Sequence, residues 1–161
     1  MSIEQPTSSE YLRKILLTPV YDVARVTPLD HMEKLSERIG CRVCLKREDL
    51  QPVHSFKLRG AYNKIAQLPA EAKERGVIAA SAGNHAQGCA LSGTRLGVKA
   101  TIVMPRTTPD IKVDAVRRFG GNVVLFGNSF DEAYAESQRI AKEEGLTLIP
   151  PYDDPDVIAG Q

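Results

Sequence analysis

Four short apolar runs constrain the fold of this chain more than any other feature of its sequence. They occupy residues 77–80, 101–104, 123–126 and 146–149. Their apolar residues are consecutive rather than alternating, which is typical of strands that are buried on both faces of a parallel sheet. A helical pattern separates each run from the next, so the sequence predicts a small doubly wound α/β domain with a parallel sheet and flanking helices.

Helix start and stop residues predict the helices between these runs. The first helix spans residues 83–96. The second has Thr108 as its N-cap and Pro109 at its first position, and the third stops at Gly145, because Pro is favoured at a helix start and Gly just past a helix end. Ligands of such folds bind at the carboxyl ends of the strands, so the residues after each run are the first candidates for a site.

The first part of the chain is less regular. We predict a helix over residues 9–17 that is capped by Ser8 or Ser9, a second helix over residues 29–38, and a short strand over residues 41–46. These elements are not part of the strand and helix alternation that follows. We interpret them as an appendage to the regular domain.

The composition excludes several classes of partner. Lys and Arg number 21 and Asp and Glu number 20, so the net charge of +1 provides no basic surface for nucleic acid. No apolar run approaches the roughly 20 residues of a membrane span. Residues 1–10 contain no apolar core of a signal peptide, and three cysteines are an odd number for a disulfide framework. We therefore predict a cytoplasmic protein.

The cysteines do not predict a metal site. Cys41 and Cys44 have the spacing of half a zinc site, but the sequence offers no second pair of ligands, and Cys89 lies far away along the chain. A structural zinc site needs four ligands. We expect buried, inert thiols and no metal.

The turn after residues 77–80 is a candidate anion site. Ser81, Gly83, Asn84 and His85 lie where a strand gives way to a helix, and the backbone N–H groups of a helix start favour a carboxylate or a phosphate. The segment is neither a P-loop nor a dinucleotide fingerprint, because Cys89 follows where a P-loop has Lys, and no G-x-G-x-x-G is present. A helix of small residues that packs tightly on its sheet explains the glycines equally well. His85 by itself is more typical of a hydrogen-bonded polar residue than of a base.

Lys57 is expected in the first turn of another helix. An apolar stripe with helical spacing follows Ser55, and Lys57 lies off that stripe. The positive end of the helix dipole disfavours an ammonium group there, which suits a lysine that reacts as an amine. Most lysines are solvated surface residues, and position alone does not distinguish the two interpretations.

Three motifs together resemble the serine/threonine dehydratases of the tryptophan-synthase-β fold type. They are Lys-Arg-Glu-Asp at residues 46–49, Ser-Phe-Lys-Leu-Arg-Gly-Ala at residues 55–61 and Ser-Ala-Gly-Asn-His-Ala-Gln-Gly at residues 81–88. The resemblance extends to Pro-Pro-Tyr-Asp at residues 150–153 and covers nearly the whole chain. The amino-terminal motifs, such as Thr-Pro-Leu at residues 27–29, resemble the biosynthetic threonine dehydratases in particular.

The resemblance implies a role for each motif residue. Lys57 would bind pyridoxal phosphate covalently and act as the base at the substrate Cα, and Phe56 would pack on the cofactor ring. Asn84 would donate a hydrogen bond to the ring hydroxyl. Ser81 and the backbone around Gly83 would hold the substrate carboxylate. The implied reaction converts L-threonine to 2-oxobutanoate and ammonia, the first step toward isoleucine.

The resemblance also implies a domain division. Residues 1–54 would be the amino-terminal segment of a larger α/β domain that binds pyridoxal phosphate, and residues 55–161 would be the small domain with the lysine and the substrate loop. Nothing in the sequence matches the family's glycine-rich phosphate loop. We therefore expect an incomplete catalytic region that ends at the start of a helix and is inactive alone, within a full-length protein that forms a homo-oligomer.

Two alternatives remain open at this point. Serine dehydratases and serine racemases have the same lysine and asparagine motifs, so the motifs do not select threonine over serine. A protein of another class, a truncated remnant or an inactive chain that binds a partner, would also retain them.

Overall fold

The computed structural model describes residues 6–161, so part of the amino-terminal segment considered above, residues 1–5, lies outside the described residues. In chain order the helices are α1 Ser8–Leu16, α2 Glu33–Ile39, α3 Lys57–Ala66, α4 Ala70–Arg75, α5 Asn84–Leu96, α6 Asp110–Arg118, α7 Phe130–Glu144 and α8 Pro155–Gly160. The strands are β1 Leu29–His31, β2 Cys44–Lys46, β3 Val77–Ala80, β4 Ala100–Met104, β5 Asn122–Leu125 and β6 Thr147–Leu148. No described helix is long and apolar enough to cross a membrane.

The regular half of the chain is a four-stranded parallel sheet with the order β5-β4-β3-β6. The predicted strands and the helices α5, α6 and α7 between them are confirmed, and β3 has the predicted bounds. β6 contains two residues rather than the predicted four, although the backbone N–H of Ile149 still donates to Ile78 O at 2.8 Å. The carboxyl ends of β3 and β6 therefore lie side by side.

Both faces of this sheet are covered. Ile78 and Val103 face α7, where they pack with Ala133 and Ile140. The alternate residues of the same strands pack against α3, α5 and α6 in a larger core cluster, which includes Val77, Ala79, Ala86, Ala90, Ile102, Met104, Val113 and Val116. Strands with consecutive apolar residues are thus buried on both sides, and the predicted doubly wound α/β fold is confirmed.

Helix α3 begins at Lys57 and connects the two parts of the chain. Its predicted apolar stripe is buried, with Leu58, Ala61 and Ile65 at 0% exposure. Gly88 of α5 packs against the start of α3, and a Cβ at this position would lie 3.1 Å from the backbone nitrogen of Leu58. The start of α3 is therefore fixed against α5.

The amino-terminal residues differ most from the sequence-based expectations. The helix predicted over residues 29–38 is confirmed only from Glu33, where α2 begins. Its predicted start is wrong, because residues 29–31 form strand β1, which pairs antiparallel with β2. Helix α1 is capped by Thr7 rather than by Ser8 or Ser9, in a capping box with Glu10. Elsewhere, Pro109 rather than Thr108 is the N-cap of α6, and α4 was not predicted.

The cysteines also differ from expectation. Cys89 is buried, and its burial raises the pKa of its thiol. Cys41 and Cys44 are exposed, because β2 and the turn before it lie at the surface, so the prediction of buried thiols is wrong for these two residues. Residues 6–161 contain no group of three or more His, Cys, Asp or Glu side chains that could hold a metal ion.

Candidate active site

The candidate site lies at the carboxyl ends of β3 and β6, the edge of the sheet where folds of this class bind ligands. Residues 81–85 follow β3 and lead into α5, while residues 149–151 follow β6. Lys57 at the start of α3 contacts the second of these segments. Three separate parts of the sequence therefore meet at this edge.

Lys57 is the first residue of α3, as predicted. Its side chain is partly buried, and Nζ donates a hydrogen bond to the carbonyl oxygen of Pro151 at 2.7 Å. The Phe56 ring, which is 43% exposed, lies beside it with its centroid 5.3 Å from Nζ. Lys57 is therefore held in one place by a carbonyl and an aromatic ring, unlike a solvated surface lysine.

The Ser81 to Asn84 loop forms the start of α5. Gly83 is the N-cap residue and provides no side-chain cap, and its N–H donates to Ser81 Oγ at 3.2 Å. Asn84 is exposed at the first helical position, while a Cβ added to Gly83 would meet nothing within 4 Å. The first turn thus presents N–H groups and an amide side chain to open space, which is the arrangement that binds an anion at a helix start.

His85, the second residue of α5, is buried with 4% exposure. Its Nε2 lies 2.9 Å from the carbonyl oxygen of Ile149 and 3.4 Å from Cys89 Sγ. Burial is the main cause that lowers the pKa of the ring, and the nearby charge of Lys57 lowers it further, against the opposite effect of the Ile149 hydrogen bond. His85 is therefore a hydrogen-bonded core residue, as the sequence indicated, and its partner lies two residues from the partner of Lys57.

The site residues fit the chemical groups of pyridoxal phosphate. The cofactor has an aldehyde, a flat aromatic ring and a ring hydroxyl, and the site offers an amine, an accessible aromatic ring and an amide at one edge of the sheet. Two helix starts, those of α3 and α5, have no side-chain cap from their N-cap residues. These are the donor types that a cofactor and an amino-acid carboxylate need.

The sequence does not predict a role for the carbonyl groups of Ile149 and Pro151. The Pro-Pro pair at residues 150–151 belongs to the resemblance, which implies no role for it. A main-chain carbonyl has no residue-specific signature, so the signal available was the position of this pair directly after a predicted strand.

A comparison with known families shows which family the chain belongs to. Residues 20–161 match the family described as pyridoxal-phosphate dependent enzymes. The chain belongs to this family. As a member of the pyridoxal-phosphate dependent enzymes it contains the expected lysine at a helix start and small-residue loop after a parallel strand.

Relatives within the family are similar over nearly all of the chain. L-threonine dehydratase of Pasteurella multocida is 64% identical over 156 residues, which cover 97% of this chain and 30% of that protein. Chloroplastic threonine dehydratase 1 of Solanum lycopersicum is 63% identical, over 96% of this chain and 26% of that protein. The chain thus spans about a third or less of the length of these relatives.

Solved structures agree with the fold. Threonine deaminase isoform 2 of Solanum lycopersicum, in its processed form, superimposes with a TM-score of 0.92 at 56% identity, over 96% of this chain and 44% of the other. Maize serine racemase superimposes with a TM-score of 0.87 at 31% identity, over 93% of this chain and 45% of the other. The fold is therefore shared by enzymes that are named for threonine and for serine.

Proposed function

We propose that this chain supplies the reactive lysine and the substrate loop of a threonine ammonia-lyase that uses pyridoxal phosphate. The reaction converts L-threonine to 2-oxobutanoate and ammonia and leads toward isoleucine. The observation that carries the proposal is the Lys57 amine, held 2.7 Å from Pro151 O at the sheet edge next to an uncapped helix start. The similarity to threonine dehydratases supports the choice of substrate.

In this proposal each motif residue has one task. Lys57 binds the cofactor and, once its amine is free, removes the proton from the substrate Cα. Phe56 packs on the cofactor ring, and Asn84 donates a hydrogen bond to the ring hydroxyl. Ser81 Oγ and the N–H groups around Gly83 hold the substrate carboxylate. The bound cofactor supplies an electron sink for the charge that develops at Cα.

A reductive labelling experiment tests the role of Lys57. The protein is mixed with pyridoxal phosphate, reduced with borohydride and mapped by mass spectrometry. We expect the label on Lys57, and no label at any site in Lys57→Ala. Lys99→Ala is the matched control, because Lys99 is exposed and precedes β4 at the opposite edge of the sheet. A label on another lysine in the native protein contradicts the proposal.

The full activity is proposed for a protein of the length of the relatives. We propose that residues 1–54 belong to a larger cofactor domain and residues 55–161 to the small domain, and that the 161-residue chain alone is inactive. Turnover of threonine by this chain at the rate of a full-length dehydratase would contradict this. Limited proteolysis tests the division, which predicts cleavage near residue 54 before cleavage inside α3.

Serine is the second candidate substrate. The similarity to maize serine racemase supports it, since that structure shares the fold at 31% identity. Product formation from threonine and from serine, measured with the full-length protein, separates a threonine dehydratase from a serine dehydratase, and formation of D-serine identifies a racemase. We expect threonine to be the better substrate.

A truncated chain that binds a partner is the candidate from another class. Mixing the chain with the carboxyl-terminal part of a relative and titrating pyridoxal phosphate tests it. Cofactor absorbance that appears only in the mixture supports complementation.

We further propose that the full-length protein is a homo-oligomer, which analytical ultracentrifugation tests. We also propose a cytoplasmic location, which the three unpaired thiols support and cell fractionation tests.

A further inference from the structure

The segment that follows β6 receives hydrogen bonds from both helix starts of the site. The backbone N–H of Ile149 donates to Ile78 O at 2.8 Å, which fixes this residue to β3. The Ile149 carbonyl faces His85 Nε2 at 2.9 Å, and the carbonyl of Pro151 accepts from Lys57 Nζ at 2.7 Å. One short segment therefore joins the first turn of α5 to the candidate reactive lysine.

The contact with Ile149 determines which nitrogen of the His85 ring carries the proton. A carbonyl oxygen only accepts hydrogen bonds, so Nε2 carries the proton and donates it to Ile149 O. The ring is 4% exposed, and Cys89 Sγ, at 3.4 Å from Nε2, is its other polar neighbour. His85 therefore serves as a fixed donor inside the core and does not face open space where a substrate could reach it.

The two prolines link the carbonyl of Ile149 to that of Pro151. Each proline ring locks the backbone φ angle and removes the N–H, so only the two ψ angles of residues 150 and 151 can rotate between these carbonyls. Ile149 itself is 1% exposed and bonded through both its N–H and its carbonyl. Restraining Ile149 thus restrains the direction in which the Pro151 carbonyl points.

We propose that His85 is a positioning residue for Lys57. Its hydrogen bond to Ile149 fixes the Pro151 carbonyl, and this carbonyl holds the Lys57 amine whenever that amine is not bonded to a cofactor. The inference rests on the proposed function only in treating Lys57 as the reactive lysine. His85 acts through the backbone and does not contact the reacting atoms.

The test measures the rate at which the Lys57 amine of the cofactor-free chain reacts with an acylating reagent. Mass spectrometry gives this rate across a pH series, with Lys99 in the same sample as the reference. His85→Leu cannot donate, and we expect Lys57 to react about three to ten times faster near pH 8, the scale of losing an ordinary hydrogen bond. His85→Gln can donate from its amide and should return the rate to within about twofold of the native value.

Cys89→Ala is the matched control, because it changes the other polar neighbour of His85 and leaves the bond to Ile149 in place; its Lys57 rate should equal the native rate. Pro151→Ala keeps His85 but makes the backbone between Ile149 and the residue 151 carbonyl more flexible. It should therefore increase the acylation rate of Lys57 as much as His85→Leu does. The proposal is overturned if a folded His85→Leu variant has the native acylation rate at Lys57. It is also overturned if His85→Gln has the same raised rate as His85→Leu.

Nitrogen NMR of the native protein shows which nitrogen of the His85 imidazole carries the proton, and it requires no variant to fold. We expect the proton on Nε2, and a proton on Nδ1 alone would overturn the proposal. None of these measurements uses the cofactor. Failure of borohydride labelling at Lys57 would therefore refute the proposed function without altering these results.

Discussion

Replacing Glu48 by Gln tests how the amino-terminal residues are attached to α3. The Glu48 carboxylate accepts two hydrogen bonds from Arg59, at 2.7 and 2.9 Å, and others from Thr27 Oγ1 at 2.6 Å and Gln51 Nε2 at 3.2 Å. The side chains of Glu48 and Arg59 are only 17% and 10% exposed. Four consecutive charged residues, such as residues 46–49, usually form a solvated surface run, and for Glu48 this expectation is wrong.

The magnitude follows from the pKa of Glu48. Its hydrogen bonds with Arg59, followed by those from Thr27 and Gln51, lower the pKa from 4.5 to about 2 against the effect of burial. At about 1.36 kcal/mol per pH unit this difference corresponds to an upper limit of about 3 kcal/mol, and partial solvation reduces it to about 2 kcal/mol. Glu48→Gln also places an amide donor against Arg59 and Gln51, which are themselves donors.

The pH dependence has a definite sign. Because the pKa of Glu48 is lower in the folded state, its carboxylate stabilises the fold above pH 4.5, and this stabilisation is lost as the pH falls from about 4.5 toward 2. Urea unfolding of the native chain and of Glu48→Gln should therefore give free energies that differ by about 2 kcal/mol at pH 7. The difference should narrow steadily below pH 4.5.

The matched control is Glu143→Gln. Glu143 pairs with Arg139 on α7, and both side chains are more than half exposed, at 60% and 53%. Such surface pairs contribute about 0–1 kcal/mol, so this variant should be nearly as stable as the native chain. A Glu48→Gln difference that stays constant from pH 7 to pH 3, or that equals the control, would refute the reasoning.

Two further predictions concern packing and thiols. Gly160→Ala should lower the free energy of unfolding by about 1–3 kcal/mol in urea titrations, because the added Cβ would lie 2.6 Å from a side-chain carbon of α3. Gly83→Ala has open space around its Cβ and should lower it by at most about 1 kcal/mol, the cost of replacing Gly by Ala at a helix N-cap. A chromogenic thiol reagent should react at once with Cys41 and Cys44 and with Cys89 only after denaturant is added. Rapid reaction of all three thiols in the folded chain would contradict the burial of Cys89.

The regular half of the fold could be predicted because its signals are local. The run at residues 77–80 is apolar at every position, and a strand buried on both faces leaves this pattern in the sequence itself. Residues 29–38 mislead for the opposite reason. Leu29 to His31 form a strand only because Cys44 to Lys46 pair with them, and a helical pattern in this window contains no information about that partner.

The candidate site also combines features that the sequence predicts with contacts that it does not. The motif makes Lys57 the candidate reactive lysine, and its place at a helix start could be predicted from the apolar stripe beside it. Its contact with the Pro151 carbonyl could not be predicted, because the two residues are 94 positions apart and a carbonyl group is present at every residue. The exposure of Cys41 and Cys44 likewise depends on how β1 and β2 lie on the surface.

The sequence by itself determined the α/β class, the order of strands and helices from residue 77 to residue 148, and the motifs that place the chain among pyridoxal-phosphate dependent enzymes. These properties depend on residue type and on spacing within a few turns of helix or a few residues of strand. The tertiary structure decided that His85 and Lys57 contact the same segment, residues 149–151, and that Glu48 of the amino-terminal part pairs with Arg59 of α3. Such contacts depend on how distant parts of the backbone pack, and no local pattern records them.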